Sequence, residues 1–136
     1  METKKDLNYF RKNAEEDYYK VPISVLRYIS ELEKSNINQL VTLIEMWGEP
    51  KGLTEERPML KSWPQFEKVQ EEVTEIARAI VNNDKVELID AIGDTFVTIT
   101  LLAKQNGLKI EDCIASAYQE IKDRTGRTEN GKFIKD

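Results

Sequence analysis

The chain contains no histidine and a single cysteine, Cys113. Without histidine it has no Ser-His-Asp or Cys-His nucleophile system, no HExxH zinc site and no Glu-x-x-His di-iron bundle. One cysteine excludes an intrachain disulfide and a thiolate zinc site, and it suits a reducing cytoplasm. A metal bound within one chain must therefore be hard and held through oxygen. A general base at neutral pH must be a carboxylate, a lysine or metal-bound water.

Long apolar runs and an excess of basic charge are missing as well. No stretch approaches the ~20 apolar residues of a membrane span. The start, Met1-Glu2-Thr3-Lys4-Lys5-Asp6, is not followed by the apolar core of a signal peptide. A net charge of −5 argues against a duplex nucleic-acid binder, which needs a basic footprint. The expectation is a cytoplasmic protein with neither membrane nor nucleic acid as partner. At 136 residues and 40% hydrophobic, the chain can build one compact domain with a core of its own.

What is present is helical periodicity almost throughout. Residues 3–19 are polar and support at most a short helix. Pro22 suits the first turn of a helix running to about Lys34, with Val25, Leu26, Ile29 and Leu32 as its stripe. A helix from about Asn38 carries Leu40, Val41, Leu43, Ile44 and Trp47 and stops at Gly48-Glu49-Pro50. Residues 48–58 hold two glycines and two prolines and read as a loop.

Ser62 then reads as an N-cap, with Pro64 inside the first turn and Gln65 placed for a capping box. That helix runs to about Val81, burying Val69, Val73, Ile76, Ala77 and Ile80. The next spans about Lys85 to Gln105, and the last about Glu111 to Lys122, with Ile114, Ala117, Tyr118 and Ile121 inward. Asn130-Gly131 predicts a type I′ turn in the tail. The fold class is all-α: a four-helix-bundle-type core over residues 37–136, an N-terminal helical extension over residues 1–36, and a short C-terminal tail.

Two acidic runs lie on these helices, Glu71-Glu72-x-x-Glu75 and Glu87-x-x-Asp90-x-x-x-Asp94. Residues three, four or seven apart share a helix face, so each run lines up its carboxylates. Two facing acidic stripes repel unless a cation lies between them, and Mg²⁺ held by carboxylates usually brings substrate phosphates. A charge run is more often a solvated face, and Lys68 to Glu72 is an ordinary i,i+4 pair. The 85–105 helix weighs against that plain reading. Ile89, Ile92, Phe96, Ile99 and Ala103 form one stripe, and the opposite side continues as Val97, Thr98 and Leu101. The run Phe96 to Ala103 is apolar nearly all round and should be enclosed on every side, with the carboxylates at the entrance of a groove and Ala79 leaving room for a ligand. A symmetric homo-oligomer would help cover it.

Glu72-x-x-Glu75, then Asp90-Ala91-Ile92-Gly93-Asp94 running into Leu101-Leu102-Ala103 and Asn106-Gly107-Leu108, resembles the MazG-like all-α NTP pyrophosphatase superfamily, in its phage and bacterial branch. So does the ending Tyr118-Gln119-Glu120-Ile121-Lys122-Asp123-Arg124-Thr125-Gly126. The resemblance covers about residues 38–135. It implies Mg²⁺-dependent hydrolysis (Mn²⁺ as the alternative) of a nucleoside triphosphate to its monophosphate and pyrophosphate. Glu72 and Glu75 match the first acidic pair of the family signature and Asp94 its final aspartate. Aligned on Gly93-Asp94, Ala91 stands where the family usually has glutamate; aligned on spacing, Glu87-x-x-Asp90 is the family's second acidic pair, so Asp90 or Glu87 could supply the remaining ligand from the adjacent turn. Glu71, Glu72 and Glu75 are the candidates to orient or deprotonate the water. Lys68, Lys122, Arg124 and Arg127 are candidates for the phosphates, although Lys122 and Arg124 also suit a helix C-terminus. Trp47 and Trp63 can stack on a base or serve as edge packing. The competing reading is a non-catalytic helical module whose acidic stripes bind a basic partner.

Overall fold

The computed structural model describes residues 25, 27–29 and 36–136. The helix expected within residues 3–19, and most of the one expected from Pro22 to Lys34, lie outside the described residues; residues 25 and 27–29 are helical. The chain divides into two compact units, residues 1–40 and 41–136.

The described elements are α1 (Ile37–Gly48), two short 3-10 turns (Glu49–Lys51 and Met59–Ser62), α2 (Trp63–Val81), α3 (Lys85–Gln105), α4 (Ile110–Ile121), β1 (Gly126–Glu129) and β2 (Lys132–Lys135). None of the described helices is long and apolar enough to cross a membrane. The all-α class holds, with the tail as its one small sheet. β1 and β2 pair antiparallel, Gly126 opposite Lys135, around Asn130 and Gly131, whose positive φ values of 49° and 75° are those of a type I′ turn.

The framework is the antiparallel hairpin of α2 and α3. Asn82-Asn83-Asp84 reverses the chain, and the Asp84 side chain caps α3 by accepting from the backbone N–H of Val86 and Glu87. Gln65, Glu72 and Ala79 on α2 are seven residues apart and buried, as are Ala91, Thr98 and Gln105 on α3. These positions form the seam between the two helices. Four of the six are polar, so the seam depends on hydrogen bonds. Gln65 Nε2 donates to the Thr98 carbonyl at 3.1 Å, and Gln105 Nε2 to the Leu53 carbonyl at 3.0 Å.

The end of α1 packs on the C-terminal half of α3. A Cβ on Gly48 would lie 2.8 Å from Leu101 Cδ2, and Glu45 pairs with Lys104 at 3.1 Å. Val41, Ala103 and Ile110 form the core cluster, with Phe96 against it. In this half of α3 Thr98, Thr100, Leu101 and Ala103 are buried, but Ile99 is 37% exposed, so the run from Phe96 to Ala103 is not enclosed on every side.

The N-terminal half of α3 is open to solvent, with Ile89 75% exposed and Ile92 53%. Four expectations are corrected. Helix α2 does not bury its apolar stripe: none of Val69, Val73, Ile76, Ala77 and Ile80 is buried, and Val73, Ala77 and Ile80 are exposed, because Gln65, Glu72 and Ala79 face α3 instead. Helix α4 does not turn its stripe inward. Ile110 is buried, but every residue from Asp112 onward is exposed, including Ile114, Ala117, Tyr118 and Ile121. Ala79 leaves no room for a ligand, because it is buried in the seam. Ser62 begins α2 without capping it, since its hydroxyl donates to the Met59 carbonyl and accepts from Asn106 Nδ2.

Candidate functional site

The acidic runs meet on one flank of the hairpin. Seen down the helices, Lys68, Glu71 and Glu75 lie to the same side of the α2 seam as Glu87, Asp90 and Asp94 do of the α3 seam. The opposite flank carries Phe66, Val73 and Ile80 along α2 and Ile99 and Leu102 on α3, with Phe66 beside Ile99 and Leu102. The same two helices thus present one charged and one apolar flank.

Glu72 is the buried member of the charged flank, at 6% exposure. Lys68 reaches it across one helical turn, Nζ to Oε1 at 3.0 Å, and also donates to Glu71 Oε2 at 2.8 Å. The hydrogen bonds to Glu71 and then to Glu72 hold the Lys68 ammonium well above the ordinary lysine range. Glu75 and Glu87 are half-buried, whereas Glu71, Asp90 and Asp94 are exposed.

Asp94 completes the relationship across the seam. Its carboxyl is pushed above the ordinary aspartate range, first by desolvation, then by the negative charges of Asp90 and Glu72, with Lys68 opposing. Glu72, Asp90 and Asp94 therefore share one electrostatic field, with Lys68 as the cation within it. The donor chemistry fits Mg²⁺: oxygen only, carboxylate-rich, and repelling itself in the way a divalent cation relieves. Among the described residues, no three acidic side chains are gathered tightly enough to make a ready chelate.

The other expected residues are dispersed. Lys122, Arg124 and Arg127 are exposed beyond the free end of α4, and Arg127 pairs with Glu129 at 2.6 Å. No ion pair among the described residues joins these three to the acidic flank. Trp47 is half exposed, with Lys51 Nζ 4.3 Å from its ring centroid. Its neighbour Gly48 packs on Leu101, seven residues from Asp94 along α3, which is about 10 Å of helix. Trp63 packs on Phe66 at 5.0 Å and lies at the apolar flank.

Sequence reasoning missed a groove at that apolar flank. Trp63, Phe66, Ile99, Leu102 and Leu108 line it, together with Asn106, whose buried Oδ1 accepts no hydrogen bond. The Asn106-Gly107 pair carried a signal, but one that reads equally as a helix stop.

Against this geometry, a family model described as phosphoribosyl-ATP pyrophosphohydrolase matches residues 45–120. That span holds the end of α1, all of α2 and α3, and nearly all of α4. The chain belongs to the phosphoribosyl-ATP pyrophosphohydrolase family, a pyrophosphohydrolase family within the MazG-like all-α superfamily. A protein of Haemophilus phage HP1 (strain HP1c1), described as an uncharacterized 18.2 kDa protein in the rep-hol intergenic region, is 38% identical over 72 residues. The match covers 53% of this chain and 42% of that protein, so the chain spans less than half of its relative's length. No solved structure matches the chain.

Proposed function

We propose that the chain hydrolyses a nucleoside triphosphate to its monophosphate and pyrophosphate, using Mg²⁺ or Mn²⁺ on the acidic flank of α2 and α3. The observation that carries this reading is buried Glu72 sharing its field with Asp94 and Asp90, in a member of a pyrophosphohydrolase family. A solvated charge stripe would place no carboxylate in the helix seam.

Glu72, Glu75 and Asp94, with Asp90 or Glu87, are the residues to hold the metal. When bound, the metal neutralises phosphate charge and makes the α-phosphorus more electrophilic. A carboxylate of the Glu71, Glu72 and Glu75 group takes the proton of the attacking water. The new bond joins water oxygen to the α-phosphorus. The bond from the α-phosphorus to the α–β bridging oxygen breaks, and pyrophosphate leaves with that electron pair. Lys68 is the cation nearest the reacting phosphates. Trp47 and Trp63 are the two candidates to stack on the base.

The site works in a homodimer or homotetramer in the cytoplasm, and the phage relative supports a place in the phage branch of the superfamily. Phosphoribosyl-ATP, the compound in the family's description, is by its name an ATP derivative and belongs among the test substrates. The test is pyrophosphate release from common NTPs, dNTPs and phosphoribosyl-ATP, with Mg²⁺ and with chelator, beside Glu75→Ala. Release that stops without metal and in the variant supports the reading. No release from any substrate, with Mg²⁺ leaving the melting temperature unchanged, refutes it.

A further inference from the structure

The Lys68 ammonium bridges two carboxylates of different character, Glu71 Oε2 at 2.8 Å and Glu72 Oε1 at 3.0 Å. Glu72 is buried in the helix seam, whereas the side chains of Lys68 and Glu71 are 52% and 63% exposed. A carboxylate packed between two helices is held in place, while a lysine on a flexible four-carbon stem at the surface can swing. Of the three groups, Lys68 is therefore the one that moves. Glu71 is the partner that can stay with it.

A buried carboxylate left without a counter-charge is among the most costly arrangements in a folded chain. Lys68 can leave Glu72 only when another cation arrives there. Equally, a cation can take Glu72 only by displacing Lys68. Among the described residues, no three acidic side chains are gathered tightly enough to chelate a cation by themselves. A divalent cation held by so few carboxylates keeps positions open for phosphate oxygens. Those oxygens are also strong acceptors for a displaced ammonium.

We propose that Lys68 is an exchanging counter-ion: its ammonium leaves Glu72 when the metal binds there, stays tethered by Glu71, and passes to the triphosphate. The exchange rests on the pyrophosphohydrolase reading above. Metal alone works against the Lys68–Glu72 pair. Nucleotide alone meets an acidic flank whose lysine is already engaged. Together, each ligand supplies the partner that the other's binding leaves missing, so the two bind cooperatively and the coupling is reciprocal. The resident lysine thus keeps free metal weakly bound until the nucleotide arrives.

The test is calorimetric binding to the native chain, Lys68→Met and Lys68→Arg. One titrant is Mg²⁺ alone. The other is the α,β-methylene analogue of the best-cleaved nucleotide (α,β-methylene ATP where none is cleaved), added with Mg²⁺ and with chelator. Mg²⁺ alone should bind Lys68→Met at least ~5-fold more tightly than the native chain, and Lys68→Arg, which keeps the charge, no more tightly than the native chain. The gain in analogue affinity from Mg²⁺ should be retained in Lys68→Arg. In Lys68→Met it should fall at least ~5-fold, with direct metal–phosphate bonds preserving the remainder. The analogue binds Mg²⁺ in solution equally beside every chain, so comparison between chains cancels that contribution. Lys68→Gln, neutral but still able to donate to Glu72, replaces Lys68→Met if circular dichroism shows lost helix.

A native chain that hydrolyses nucleotide, beside a Lys68→Met variant with unchanged or weaker Mg²⁺ affinity or an unchanged gain, overturns the exchange and leaves the catalytic reading standing. A native chain that cleaves no nucleotide and gains no analogue affinity from Mg²⁺ overturns both.

Discussion

Lys68 and Glu72 form an ion pair of unequal partners: at 3.0 Å, the lysine is half exposed while the carboxylate is almost wholly buried. The ammonium therefore serves as the resident counter-cation of a group that cannot shed its charge into solvent. It also places a removable positive charge where a divalent cation would act.

Lys68→Met should lower stability by about 1 kcal/mol, a modest value because Lys68 is well solvated. The same variant should gain more melting temperature from Mg²⁺ than the native chain does, since the competing cation is gone. Thermal melts with and without Mg²⁺ check this. An equal gain in both proteins would mean that Mg²⁺ does not act at Glu72.

Asp94→Asn separates the metal role from folding. The substitution removes one member of a mutually repelling set, so stability without metal should hold or rise. Stabilisation by Mg²⁺ should vanish, and turnover should fall by ~100-fold or more, equivalent to about 2.7 kcal/mol of transition-state stabilisation. A solvated stripe would instead leave both readouts unchanged.

The raised value of Asp94 fixes the sign of a pH effect. A folded-state value above the unfolded one means that the folded chain binds the proton more tightly. The stability this group contributes is fully present below the ordinary aspartate value and is lost as pH rises through the raised one. Metal-free melting temperatures of native chain and Asp94→Asn, compared between about pH 4 and 7, should diverge in favour of the variant as pH rises. Mg²⁺ at neutral pH should close that gap. A difference that grows in the opposite direction would contradict the desolvated, repelled Asp94 described above.

Gln105 tests the polar seam. Its Nε2 donates to the Leu53 carbonyl at 3.0 Å and lies 3.5 Å from Gln65 Oε1. Gln105→Leu removes the donor and leaves buried acceptors behind, at a cost of about 1–3 kcal/mol. Denaturant unfolding measures it. A neutral or stabilising outcome would show that the seam holds by apolar contact alone.

Much of this was legible in the sequence because the signals were local. The bounds of α2 and α3 follow from Pro64, Val81, Lys85 and Asn106-Gly107, and the tail turn from Asn130-Gly131. The meeting of Glu72 with Asp94 follows from helical spacing and one short turn. Other features depend on distant atoms. Ser62 has every local mark of a capping residue, yet Met59 and Asn106 occupy its hydroxyl. Gln65, placed for a capping box, reaches instead to Thr98 across the seam. The periodicity of Ile114, Tyr118 and Ile121 marks an apolar face without saying what it packs on, and the spacing of Ile89 and Ile92 is equally silent. Asp84 binds two backbone N–H groups as the α3 cap, although in sequence it reads only as part of a turn.

The most direct test of the central claim is hydrolysis in ¹⁸O-labelled water with Mg²⁺, followed by mass spectrometry of both products. Attack on the α-phosphorus from the acidic flank predicts label in the nucleoside monophosphate and none in pyrophosphate. Label in pyrophosphate or orthophosphate, or no metal-dependent product from any substrate, would contradict it.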